Sequence, residues 1–163
     1  MKKLLGIVVL GLLWLFTSAA TVIKSEYLGS DVYKLEMDNG CIYQGELFTT
    51  SPKIKLKDLF KKTFKTYSYH GYGVEDCTRS SKGYLMDGEF IKGEFVSGLY
   101  KDDTGIEKNG KYKNGRLHGN GYWINTDGSI FEGNFVNGIL NGEGKQTEPN
   151  GSFWEGNFED GNI

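Results

Sequence analysis

Two prolines, two cysteines and two histidines among 163 residues leave little room for several kinds of protein. So little proline excludes collagen and a proline-rich disordered tail, although glycine, at 24 residues, is about twice its usual share. Two Cys and two His with no close ligand spacing do not make a zinc site. Nor is positive charge in excess: 19 Lys and Arg face 21 Asp and Glu, and loss of Lys2 and Lys3 with a leader would leave 17 against 21. That balance gives no electrostatic case for nucleic acid. The chain also lacks a Gly-x-Ser-x-Gly elbow, a phosphate-binding Gly-Lys-Ser/Thr loop and a His-Glu-x-x-His helix, and its Gly-x-Gly pairs lack the third glycine of a dinucleotide fingerprint. No catalytic residue, metal or cofactor is assigned from sequence. Present instead are 10 Phe, 10 Tyr and 3 Trp, too many rings for a solvated disordered chain.

Residues 1–20 combine a basic start at Lys2 and Lys3, an apolar run over residues 4–16 and the small residues Ser18, Ala19 and Ala20. This pattern reads as a secretory signal peptide, because the apolar run is shorter than the roughly 18 residues that span a bilayer. The expectation is an exported protein, periplasmic or extracellular. Residues 21–37 then read as an N-terminal cap segment and residues 38–163 as a repeat array.

The repeat is 23 residues long. Lys108, Gly110 and Tyr112 correspond to Phe131, Gly133 and Phe135, and these to Trp154, Gly156 and Phe158. Gly119, Gly121 and Gly128 recur at Gly142, Gly144 and Gly151. In a strand, residues two apart share a face, so Phe131, Gly133 and Phe135 form an aromatic face and Glu132, Asn134 and Val136 the other. The bare glycine between two rings leaves space for the ring of a neighbouring strand. Asn114-Gly115, Asn137-Gly138, Asp127-Gly128 and Asn150-Gly151 are turn signals. A single hairpin cannot bury its aromatic face, so the hairpins must pack side by side.

This succession of aromatic, acidic, Gly, any, aromatic, then Gly-x-Gly, then Asp-Gly resembles the MORN repeat family. The match is strongest over residues 108–158, with degenerate copies at Met86-Asp87-Gly88-Glu89-Phe90 and Tyr43-Gln44-Gly45-Glu46-Leu47 reaching back to Asp38. The resemblance implies an all-β, elongated, single-layer antiparallel sheet of stacked hairpins, and a role in protein or lipid association rather than catalysis. Lys108 departs from the pattern by replacing the first aromatic. Gly88, Gly93 and Gly110 are unevenly spaced, which predicts a bend or an irregular hairpin in mid-array.

An insertion at 49–68 interrupts the repeat, and its spacing predicts a short basic helical or irregular segment over 52–67. Lys57, Lys61 and Lys65 lie among its lysines, with Lys62 and the apolar Phe60 and Phe64. One reading lays this segment on an anionic membrane, with Lys57, Phe60, Lys61, Lys62, Phe64 and Lys65 meeting lipid. The other packs its apolar side over the rings of the sheet. Cys41 aligns with Ser129 at the start of a repeat's first strand and Cys77 with the end of its second. Those ends oppose each other in a hairpin, so an exported chain is expected to join them as a disulfide.

His70 and His118 precede glycine pairs at equivalent repeat positions, and that repetition points to a structural register rather than to catalysis. Tyr112, Trp123, Phe131, Phe135, Trp154 and Phe158 are the candidate binding surface, as a ladder for sugar rings or a peptide. The competing reading makes them core or cover for the sheet. The expected function is a non-enzymatic exported scaffold that associates with a protein or a cell-envelope component. The sequence gives no oligomeric state.

Overall fold

A computed structural model of the chain describes residues 7–8, 21–30, 32–49 and 67–163. Apart from Ile7 and Val8, the leader 1–20 lies outside the described residues. Of the insertion expected at 49–68, residues 50–66 also lie outside, and with them all of the predicted helical or irregular segment but Tyr67, including Lys57, Phe60, Lys61, Lys62, Phe64 and Lys65; Thr49, Tyr67 and Ser68 at its edges belong to strands.

The protein is all-β and antiparallel, with its strands in hairpin order and no helix among the described residues. The strands are β1 (Ile7–Val8), β2 (Thr21–Gly29), β3 (Val32–Met37), β4 (Ile42–Thr49), β5 (Tyr67–Asp76), β6 (Tyr84–Ile91), β7 (Glu94–Asp102), β8 (Glu107–Lys113), β9 (Arg116–Ile124), β10 (Ile130–Val136), β11 (Ile139–Thr147) and β12 (Phe153–Phe158). They fall into two compact units, one of residues 1–82 with 89–94 and one of residues 83–88 with 95–163.

In the first unit β1 to β5 pair with their neighbours in sequence, so the predicted cap segment is itself strands β2 and β3. The core is built on Tyr43. Its ring stacks on Tyr69 with centroids 3.7 Å apart and planes 3° from parallel, and Phe90 meets both rings edge-on. Gly45 and Gly73, paired across β4 and β5, have no side chain where the Tyr43 ring lies. The Tyr43 hydroxyl donates to the carbonyl of Glu46 at 2.8 Å, so the buried phenol is satisfied. Cys41 and Cys77, just beyond the Ile42↔Asp76 pair, form the expected disulfide, with both residues buried.

In the second unit two kinds of turn alternate. Asn114-Gly115 and Asn137-Gly138 each carry two successive positive φ angles, 51° and 72°, then 53° and 85°. Such angles define the two-residue hairpin turn that asparagine and glycine enter at least cost. The turns over residues 102–106, 125–129 and 148–152 instead close with a bond from the first residue's N–H to the fifth residue's carbonyl, and Gly105, Gly128 or Gly151 takes the left-handed position. Asp127 and Asn150 brace two of these turns by accepting from the N–H groups of Ser129 and Ser152, each at 2.9 Å. The 23-residue period is thus one strand, a tight turn, a second strand and a wider turn.

The core of this unit is Leu117, Phe135, Leu140 and Phe158, with Tyr112, Trp123 and Phe131 packed against it. Gly119 stands opposite Phe135 and Gly142 opposite Phe158, and 23 residues separate one pair from the next.

Candidate functional site

Strand register in the second unit draws side chains into rows. Tyr100, Lys108, Trp123, Phe131, Gln146 and Trp154 are successive cross-strand partners on β7 to β12. Two residues further along each strand lie Gly98, Gly110, Gly121, Gly133, Gly144 and Gly156, again paired in turn. Beyond the glycines lie Tyr112, Leu117, Phe135, Leu140 and Phe158. Because side chains two apart point the same way, all three rows share one face.

The six predicted surface residues therefore divide. Phe135 and Phe158 are 1% and 2% exposed and belong to the core, and Tyr112 is half-buried beside them. Trp123 and Phe131 are partly buried and stack on each other, centroids 5.3 Å apart. Trp154, at 48% exposure, presents the most open ring of the six. The core half of this face rests as much on Leu117 and Leu140, which the aromatic pattern passed over; their shared 23-residue spacing was the available signal.

The glycine row also accounts for the uneven spacing in mid-array. Gly88 and Gly98 lie against each other's backbone, and Gly98 pairs with Gly110, so these glycines extend the row. Gly93 is not part of it. With Lys92 it forms a tight turn, φ 51° and 88°, whose N–H donates to the Tyr69 carbonyl within the first unit.

Lys108 stands among aromatic residues as the charged member of its row. Its Nζ lies 4.9 Å from the centroid of the Trp123 ring, a cation–π contact. Burial holds its pKa below the usual lysine value. The Trp123 indole N–H is buried, with no hydrogen-bond partner among the described residues. The Tyr112 hydroxyl donates to the Lys108 carbonyl at 3.0 Å, and burial raises the pKa of that phenol. Burial, and next the charge of Asp102, push Tyr100 up to about 12. On the opposite face Glu107 lies 2.6 Å from Lys101 Nζ and accepts from the Tyr122 hydroxyl. The hydrogen bond from Lys101, followed by that from Tyr122, holds Glu107 below the ordinary carboxylate value.

His70 and His118 lie on β5 and β9 at matching places, each followed by a glycine at positive φ. Asp102 is a turn brace: it accepts from the N–H and hydroxyl of Thr104 and from the N–H of Ile106. The buried Glu75 carboxylate lies within 4.8 Å of both disulfide sulfurs. Joined as a disulfide, those sulfurs offer no thiolate to a metal ion.

No protein-family model matches the chain, and no curated protein matches it.

Proposed function

We propose that this chain is a non-enzymatic, exported repeat scaffold of the MORN type, whose glycine and aromatic face associates with a protein or a component of the cell envelope. In this reading residues 1–20 are a cleaved signal peptide and the hairpins form an elongated single-layer array. The observation that carries it is the row from Tyr100 to Trp154, in which the 23-residue period sets large side chains side by side along a line of glycines. The four aromatic members of that row offer contact area at low entropic cost, because aromatic side chains have few rotamers to lose. The Cys41–Cys77 disulfide supports export, since such bonds persist in oxidising compartments.

The test is co-sedimentation of the purified protein with an isolated cell-envelope fraction, alone and after protease treatment of that fraction. Binding to the envelope that drops about tenfold on Trp154→Ala supports the reading, and protease sensitivity marks a protein partner. Absence of binding, or binding indifferent to Trp154, overturns it.

A further inference from the structure

At the β12 side of the second unit the face opens into a groove of about 340 Å³ lined by Gln146, Trp154, Phe158, Gly161, Asn162 and Ile163. We infer that this groove is a saccharide site that takes a neutral pyranose ring on the face of Trp154. The inference rests on the scaffold reading above and names the chemistry of its envelope ligand.

Three features define that chemistry. The first is a platform: Trp154 is half exposed, whereas Trp123 and Phe131 in the same row cover each other. An open indole beside buried Phe158 and exposed Ile163 suits the C–H face of a sugar ring, which is apolar on its flat side and polar at its rim. The second is a pair of amides fixed in place. Gln146 spends one N–H on Glu148 Oε1 at 2.7 Å, and Asn162 spends one on the Asp160 carbonyl at 3.3 Å. A primary amide has two N–H donors and a carbonyl acceptor, so each retains capacity for hydroxyl groups. The third is charge: among the described residues the lining has no ionisable side chain. The acids behind it, Glu148 beside Gln146 and Asp160 next to Gly161, oppose an anionic ligand. A purely aliphatic ligand would instead leave the remaining donors and acceptors of both amides buried without partners. A neutral polyol with one apolar face fits all three, and the volume accommodates one or two rings.

The experiment is a two-dimensional NMR titration of the full protein, following the indole N–H signals of Trp123 and Trp154. The probes are methyl β-glucoside, cellobiose and chitobiose, taken into the tens of millimolar. The expected result is a saturable shift of the Trp154 signal, with an open-groove affinity on the order of 1 mM. Trp154→Ala should weaken the heat of binding seen by calorimetry at least about tenfold, and Gln146→Ala should weaken it severalfold. Phe153→Ala, on the opposite face, should leave it unchanged. A larger affinity for the disaccharides than for the glucoside identifies a chain ligand, and equal affinities identify a free sugar. No shift with any probe, a shift confined to Trp123, or binding that survives Trp154→Ala overturns the inference. If the sugars fail while envelope binding still depends on Trp154, the saccharide site falls and the scaffold reading stands.

Discussion

Leu117 and Leu140, 23 residues apart, do the same work in successive hairpins. Each is buried, and each gives its carbonyl to the N–H of a turn glycine 21 residues on, Gly138 and Gly161, at 2.8 and 2.9 Å. The Leu117 side chain reaches towards Gly110, and that of Leu140 lies over Gly144. These leucines fill volume that the glycines vacate, so truncation leaves a cavity that the rigid sheet cannot close. Leu117→Ala and Leu140→Ala should each cost about 2–5 kcal/mol. Urea unfolding checks this, and a loss below about 1 kcal/mol for either would show that the cluster is not a packed core.

The disulfide makes a separate prediction in the first unit. Cys41 and Cys77 are 36 residues apart in sequence, and the bond closes the loop that contains the insertion. In the chain-entropy model a loop of that length stabilises by about 3–4 kcal/mol, through restriction of the unfolded chain. The Cys41→Ser, Cys77→Ser double variant should therefore unfold at distinctly lower urea than the oxidised protein. Thiol titration of denatured, unreduced wild type should find no free sulfhydryl; two reactive thiols would refute the pairing.

The sequence made the register legible because it is periodic. A 23-residue step that carries Phe131, Gly133 and Phe135 onto Trp154, Gly156 and Phe158 fixes which residues share a face, and the Asn-Gly pairs fix where the chain reverses. The cysteine pairing followed from the same alignment. Which rings are buried was not legible, since Phe158 and Trp154 point to the same side of one strand. Their fates differ because Phe158 meets the bare Gly142 and joins the leucine cluster, whereas Trp154 faces Gln146 beside an open groove. The turn at Lys92-Gly93 was equally hidden, because lysine is no signal for the positive φ it adopts.

Glycine content should be required unevenly. Gly133 has φ 138°, and a Cβ there would run into the backbone of Glu143 and Gly144. Gly151 has φ 86°, but among the described residues nothing lies within 4 Å of where its Cβ would sit. Gly151→Ala should therefore cost only the left-handed penalty, about 1–2 kcal/mol. Gly133→Ala adds a collision with a paired strand to a backbone that only glycine adopts easily, and about 3 kcal/mol or more is expected. Equal thermal shifts for the two variants would refute the close approach of β10 and β11.

Buried phenols should set the alkaline limit of stability. Tyr43 and Tyr112 are raised by burial, and Tyr100 is pushed up to about 12 by burial together with Asp102. An unfolded tyrosine ionises near pH 10, so above about that value the unfolded chain releases protons that the folded chain keeps. The stabilisation is complete below about pH 10 and is lost as pH rises through the folded values. Lys108 acts in the opposite sense, because its lowered pKa makes folding more favourable with rising pH. That gain ends near the unfolded lysine value of about 10.4, and above it Lys24 and Lys101, raised by their hydrogen bonds to Glu36 and Glu107, lose stabilisation together with the tyrosines. Urea midpoints should thus fall from about pH 10.5 upwards, and Tyr100→Phe, which removes one ionisation, should flatten part of the fall. Spectrophotometric titration supplies an independent readout: Tyr43, Tyr100 and Tyr112 should ionise only above the ordinary tyrosine value or on unfolding. A single transition near 10 for every tyrosine in the folded protein would contradict the buried positions of Tyr43, Tyr100 and Tyr112.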